Sequence, residues 1–377
     1  MPAPDQVVEH DRLTRLGLDP TAVAALLDRA ERDVVRGRIP SCQLAVAKHG
    51  EVAVTATFGN AADDHRYLVF SVTKALVASA VWVLLGDGVL TPETPAADLV
   101  PEFGSGGKER VTVEHLLTHT AGFPRAPMLP TEGATSQGRR ERFAGWRLDW
   151  EPGSRTEYHP VSAHWVLAEL IEQASGTDYR RFVAQRVLAP LGLRRLRLGV
   201  PPEEQGDVRD VALVAQEMPE GAEVPEVATD DQLLLYNRPE VRAVGVPGAG
   251  AVSTASDVAL LYQAFLRNEQ RVWDPEVLAD ATTHVRNTHV DPFTRVPANR
   301  TLGLVVAGDD GRADLREFGT ASGPRAFGAS GLGGQIAWAD PDSGLSFCYL
   351  TDGLTDLVRA FLRSTRLSTL AAECNTF

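Results

Sequence analysis

The stretch YLVFSVTKALVASAVWVLLG, residues 67–86, decides how the rest of the chain is read. From Ala75 to Gly86 it is apolar all round, and this run is well short of the about 20 residues a membrane span needs, so a helix buried in a protein core is expected. Ser71 stands at the entrance to that helix and Lys74 one turn later, an S-x-x-K element. Residues three apart on a helix share a face, so the Lys74 amine is expected within reach of the Ser71 hydroxyl. The helix N-terminus adds partial positive charge and free N–H groups where an attacked carbonyl develops negative charge. For Lys74 to accept a proton near neutral pH, burial against Leu76, Val77 and Trp82 must pull it below the ordinary lysine value of about 10.4. The plainer reading is a serine-capped core helix with a snorkelling lysine. The rest of the chain has to decide between the two.

Upstream, Asp19 and Pro20 supply an N-cap and a first-turn proline. Val23, Leu26, Leu27, Ala30 and Val34 follow at helical spacing, predicting a helix over 20–37. The alternating runs 42–50 and 51–59 meet at His49-Gly50, a β-hairpin signature. Downstream, helical patterns at 72–86, 112–118, 161–174 and 178–188 are separated by loops rich in Pro, Gly and charge. A helix at 254–267 then precedes strand-like runs at 301–307, 314–319, 334–339 and 345–351, and a last amphipathic helix at 354–371. Short turns such as 340–344 join the late strands, which suits antiparallel pairing and disfavours parallel winding. The expected fold is α+β: an antiparallel sheet flanked by helices, formed by residues 1–67 with 245–377, and a mostly helical domain, 68–244, inserted between them.

Composition narrows the function classes. A net charge of −13, with no cluster of Lys and Arg, argues against a nucleic-acid partner. Cys42, Cys348 and Cys374 lie far apart with no CxxC pair, so inert buried thiols are expected rather than a disulfide framework or a zinc site. The N-terminal residues carry charges of both signs and no apolar signal-peptide core, so a soluble cytoplasmic protein without a membrane partner is expected. His115 and His119 are four apart, but no third ligand is positioned by sequence, so no metal is assigned.

Three further segments accompany the serine. VEHLLTHTAGF (113–123) closely resembles the HLLTHTSG signature of the β-lactamase-like serine hydrolases. That group holds class C β-lactamases, D-alanyl-D-alanine peptidases, family VIII esterases and lovastatin-type acyltransferases. TEYHP (156–160) resembles the family's Y-x-N region, and FGASGLGGQ (327–335) its K-T-G or H-x-G strand. VPGAGAVSTASD (246–257) and the last helix look familial as well, so the resemblance spans about residues 20–370. It implies the β-lactamase/transpeptidase-like fold, an acyl-enzyme at Ser71 and no cofactor. It also implies that Lys74 and Tyr158 manage the proton, that the N–H groups of Ser71 and Leu332 hold the oxyanion, and that Ser330, Gly331 and His159 complete the substrate-binding set.

Two positions depart from the family pattern. Pro160 stands where β-lactamases have asparagine, and Ala329 where relatives carry lysine or histidine, which removes a cationic contact to a substrate carboxylate. A carboxylesterase acting on small esters is therefore the first expectation. An acyltransferase using the same acyl-enzyme, a β-lactamase or D-amino-acid peptidase, and a non-catalytic binding scaffold stand as alternatives. The substrate is a small ester, thioester or amide. Residues 206–242, without clear periodicity, are read either as a lid over the pocket or as a surface excursion. Trp146, Trp150 and Trp165 are candidates for lining an acyl pocket, with core packing as the plainer role.

Overall fold

The computed structural model describes residues 10–214 and 229–376. After a short helix, His10–Arg15, the helix Pro20–Val35 starts where Asp19 accepts a hydrogen bond from the Thr21 N–H at 2.8 Å, with Pro20 in the first turn. The hairpin follows as Ser41–Lys48 and Glu51–Gly59. It turns at His49 (φ 56°) and Gly50 (φ 84°), two left-handed residues in a row, as a tight turn matched to strand twist requires.

The main sheet has six strands, all antiparallel. From one edge they run Glu51–Gly59, Ser41–Lys48, Leu345–Thr351, Gln335–Asp340, Phe327–Gly331 and Val305–Val306. First and last segments of the chain thus lie side by side, Ala45 opposite Cys348. Both faces of the central strands are covered, so their residues are buried without exception. Period two still sorts them. Leu44, Val46, Trp338 and Phe347 enter a core shared with Pro20–Val35 and the last helix, Leu357–Glu373, while Ala45, Ala47, Ala337 and Ala339 face the other core. These small residues let the helix Ala255–Arg267 pack closely on that face.

The second core is built around the helix Thr73–Gly86, whose residues from Thr73 to Leu84 are all buried. Trp82 donates its indole N–H to the Leu302 carbonyl and Trp273 donates to the Ser79 carbonyl, both at 2.8 Å. Beside it lie Ser162–Ser175 and the short helix Val113–Leu117. Among the described residues no helix is long and apolar enough to cross a membrane. The three cysteines are free and buried, and burial pushes the Cys42 thiol up to about 12.

The run 314–319, expected as a strand, is instead a single tight turn, Ala313–Arg316, closed by Glu317 at φ 67°. Arg316 binds both carboxylate oxygens of Asp310 at 2.8 and 2.6 Å and also donates to the carbonyls of Pro297 and Ala307. A charge pair six residues apart curls the chain, overriding the alternation that suggested a strand. The run 301–307 is likewise reduced to Val305–Val306.

One buried charge cluster fastens the inserted helices together. Arg139, fully buried, donates to Glu169 at 2.8 Å, to Glu172 at 2.5 Å and to the Gly133 carbonyl at 2.9 Å. Removing the guanidinium leaves two carboxylates facing each other without a counter-ion. Arg139→Ala is expected to lower stability by about 3–5 kcal/mol, read as a lower urea midpoint; a midpoint within experimental error of the parent would contradict that account.

Candidate active site

Ser71 lies in the tight turn Phe70–Val72, which runs directly into the helix Thr73–Gly86. The turn is held from the side by the strand Ala251–Ser253: the Val69 N–H donates to the Ala251 carbonyl at 2.9 Å, and the Ala251 N–H donates to Thr73 Oγ1 at 3.0 Å. Phe70, immediately before the serine, has φ 43°, a conformation side chains rarely adopt. Its ring meets Tyr236 edge-on at 5.7 Å between centroids, one of the contacts that keep this strained residue in place.

Lys74 is 4% exposed, and its Nζ is surrounded by three oxygens: Ser71 Oγ at 2.9 Å, the Pro160 carbonyl at 2.7 Å and the Gly248 carbonyl at 2.7 Å. The two carbonyls converge because Gly248 has no side chain; a Cβ there would stand 2.9 Å from the Pro160 oxygen. As an ammonium, Lys74 donates to all three. As a neutral amine it has two N–H donors and one lone pair; the carbonyls take the donors, and the lone pair is left facing the Ser71 hydroxyl. Burial moves Lys74 below the ordinary lysine value, Tyr158 pulls it part of the way back, and Arg300 pushes it down again.

Tyr158 is half-buried, with its ring centroid 4.8 Å from Lys74 Nζ and 4.7 Å from the His119 ring. Behind it His119, His159 and His164 are all buried, and desolvation drives each toward the neutral form, His159 to about 4 and the other two well below the usual histidine range. This aromatic backing places no extra positive charge beside Lys74 at neutral pH.

Ser71, Lys74, Tyr158, Ser330, Gly331 and Leu332 all line one cleft of about 650 Å³ between the sheet and the inserted helices. His159, expected in the substrate-binding set, is not brought there. Its neighbour Tyr158 faces the cleft, whereas the His159 imidazole is buried behind it, taking the Phe123 N–H on Nε2 and facing the Glu157 carbonyl through Nδ1. Facing Ser71 is the strand Phe327–Gly331. A Cβ on Gly331 would stand 2.8 Å from the Val69 carbonyl and 3.1 Å from the Ser71 nitrogen, so only glycine permits this approach. Gln335 locks the approach by donating to the Leu68 carbonyl at 3.3 Å and to the Thr351 carbonyl at 2.7 Å, while accepting from the Thr351 N–H at 2.8 Å.

The cleft holds charged groups that local patterns gave no reason to select. Glu317 lies against Ser330 and receives the Ser364 hydroxyl at 2.5 Å, and burial raises its carboxyl above the usual range. The Ser330 hydroxyl is thus engaged with Glu317. Arg300 and Asp291 come from a long loop with no motif of its own. Trp165 lines the cleft; Trp146 and Trp150 do not. Gln232, Leu233, Leu235 and Tyr236, from the segment considered as a lid, also line it, while 215–228 of that segment lie outside the described residues. Apolar groups dominate the remaining wall, among them Phe70, Leu332, Leu357 and Phe361.

Comparison with known proteins places nearly the whole chain in a family. Esterase EstB of Burkholderia gladioli is 29% identical over 375 residues, covering 90% of this chain and 93% of that protein. Esterase/beta-lactamase LipL of Mycobacterium tuberculosis is 26% identical over 324 residues, 77% of this chain and 70% of its own length. Among solved structures, a penicillin-binding protein homologue from Caulobacter crescentus superposes with a TM-score of 0.77 at 27% identity, covering 94% of this chain and 98% of that one. The family description Beta-lactamase matches residues 27–370, nearly the whole chain, and the protein belongs to that family.

Proposed function

We propose that the protein is a serine carboxylesterase in which Ser71 attacks the ester carbonyl, Lys74 accepts the serine proton, and Tyr158 passes a proton to the departing alcohol. The reading is carried by one observation: a buried amine with two carbonyls for its N–H groups and the Ser71 hydroxyl 2.9 Å away as its remaining neighbour. The tetrahedral oxyanion is held by the N–H groups of Ser71 and Leu332. Water then releases the acid from Ser71 with the same two residues moving the proton in reverse. The apolar wall of Phe70, Trp165, Tyr236 and Phe361 suits an aliphatic or aromatic acyl group. The relatives named as esterases support the hydrolytic reading, and Ala329 supports esters over penicillins by placing a methyl group where a lactam carboxylate needs a cation. The same apolar wall favours a second outcome, acyl transfer, when an alcohol or amine reaches the acyl-enzyme before water does.

A fluorophosphonate is expected to leave its phosphonyl group on Ser71 with loss of fluoride, and a chromogenic short-chain ester its acyl group with release of the chromogenic alcohol, the adduct being lost in Ser71→Ala. An intact protein that gains no mass under any condition would leave only a binding scaffold. Offering alcohols and amines to the acylated enzyme separates hydrolysis, which yields free acid alone, from transfer.

Because the neutral amine is the active base and burial lowers its proton affinity, kcat/KM for a neutral ester is expected to rise with pH. The midpoint is expected below the ordinary lysine value of about 10.4. Lys74→Ala should lose about 10²–10⁴-fold in kcat/KM. A pH-independent rate from pH 5 to 10 would remove Lys74 from the role of base.

Gly331→Ala forces a methyl group against Val69 and the Ser71 nitrogen. It is expected to depress kcat by about tenfold or more through displacement of the oxyanion donors. Retention of full kcat would show that the strand does not need its present closeness to the nucleophile.

A further inference from the structure

Arg300 brings into the cleft a cation that none of the proposed chemistry uses. Its backbone is fixed by an exchange of hydrogen bonds with Asn287, both at 3.1 Å, and by the Arg286 N–H donating to its carbonyl at 2.8 Å. Asn287 in turn donates to the Thr118 carbonyl at 2.8 Å and to Thr156 Oγ1 at 2.9 Å, tying Arg300 to the loop that carries Tyr158. The guanidinium carbon lies 5.5 Å from the Tyr158 ring centroid. Among the described residues, the Arg300 side chain makes no hydrogen bond or ion pair.

Other arginines without such a partner, among them Arg147, Arg271 and Arg366, are exposed, whereas Arg300 is half-buried. Arg66 pairs with Asp207, Arg139 with Glu169 and Glu172, and Arg316 with Asp310. The carboxylate that attracts Arg300 from nearby, Asp291, is held by its own turn through Oδ1, which accepts from the N–H groups of Phe293 and Thr294 at 2.9 and 3.0 Å, and it forms no ion pair with Arg300. Arg300 lines the cleft, so its guanidinium is partly desolvated without a protein partner and open to an anion brought by a ligand. The planar fork of arginine matches a carboxylate in two parallel hydrogen bonds.

Position selects which half of the substrate carries that anion. Tyr158 is the residue assigned to the departing alcohol, and Arg300 lies against the same ring, whereas the apolar wall is suited to the acyl group. We propose that Arg300 binds a carboxylate on the alcohol half of the substrate, so that the preferred substrates are esters of hydroxy acids. This rests on the acyl-enzyme reading given above. The contact comes from a different segment than the one bearing Ala329.

The test compares kcat/KM for butyryloxyacetate, its neutral amide butyryloxyacetamide, and monoethyl succinate, whose carboxylate is on the acyl side. The purified full chain is expected to prefer butyryloxyacetate over the amide by about tenfold or more, the scale of a hydrogen bond to a charged group. Arg300→Gln should bring that ratio close to one, Arg300→Lys should keep part of it, and Arg295→Gln, an exposed neighbour outside the cleft, should keep it whole. Taking the ratio within each variant cancels any change in overall activity, and comparing the ratios between parent and variants cancels the difference in leaving-group acidity of the two esters. If Arg300→Gln does not fold, competitive inhibition of the parent protein by glycolate over glycolamide supplies the same comparison. A parent ratio of one or less, a ratio that survives Arg300→Gln, or an equal preference for monoethyl succinate would overturn the proposal. Absence of a phosphonate adduct at Ser71 in the parent would instead overturn the acyl-enzyme reading itself.

Discussion

Everything in the cleft depends on keeping one amine dry. Lys74 is enclosed on a helix that is apolar on every side, and water has been replaced around its nitrogen by two carbonyls and one hydroxyl. Two demands oppose each other there. Desolvation disfavours the ammonium, while three oxygen acceptors and the Tyr158 phenol favour it. A base that works near neutral pH needs that opposition to be close to balance, and each contributor comes from a different part of the chain: Pro160 from the loop before a helix, Gly248 from the loop before a strand, Ser71 from the same turn as the lysine.

Rigidity around the amine has the same origin. Gln335 and Gly331, where two neighbouring strands of the sheet meet, draw the sheet onto the turn bearing Ser71, and the Ala251–Ser253 strand also holds that turn. Phe70 is compressed between them into a left-handed conformation. Such strain persists only where the surroundings over-determine the backbone, and here they do so on both flanks of the nucleophile. The histidine cluster behind Tyr158 works by omission: three imidazoles held neutral by burial fill space without repelling the lysine's proton, and two of them, His119 and His159, accept backbone hydrogen bonds.

Much of this was legible in the sequence because it is local. The S-x-x-K spacing put Ser71 and Lys74 on one helical face, Asp19-Pro20 marked a helix start, and His49-Gly50 marked a hairpin, since each depends on residues within a turn of one another. The strand at 345–351 read correctly although both its faces are covered, because its flanking turn was sharp. The run 314–319 did not, because its alternation of charge and apolar residues serves an Asp310–Arg316 pair rather than a pleat. The family resemblance implies that His159 is a substrate contact, but its imidazole is turned inward, where it takes the Phe123 N–H and faces the Glu157 carbonyl. Gln335 and Gly248 fall inside segments that look familial, yet nothing local says what they hold, and Arg300 has no motif at all. Leu68, Lys74 and Tyr158, which they meet, are more than a hundred residues away, and only the folded chain brings them together.

The charges of the cleft follow from the same geometry. A methyl group at position 329 leaves the strand beside the oxyanion site without a cation, and Glu317 behind Ser330 makes that side acidic and hydroxyl-rich. The guanidinium of Arg300 lies instead against the Tyr158 ring, 5.5 Å from its centroid. A substrate entering between them meets an apolar wall for one half and a lone cation for the other. Its orientation is then decided before any bond changes: reversing it would set a carboxylate against aromatic rings and leave Arg300 unpaired, two costs that add. In a protein whose overall charge is −13, no long-range field draws an anion inward, so discrimination has to come from contact inside the cleft. The same residue that orients such a substrate also lies within electrostatic reach of Lys74, which it pushes toward the neutral form. Recognition and proton affinity are therefore coupled through Arg300, and a bound carboxylate that neutralises it would relax that push on the base.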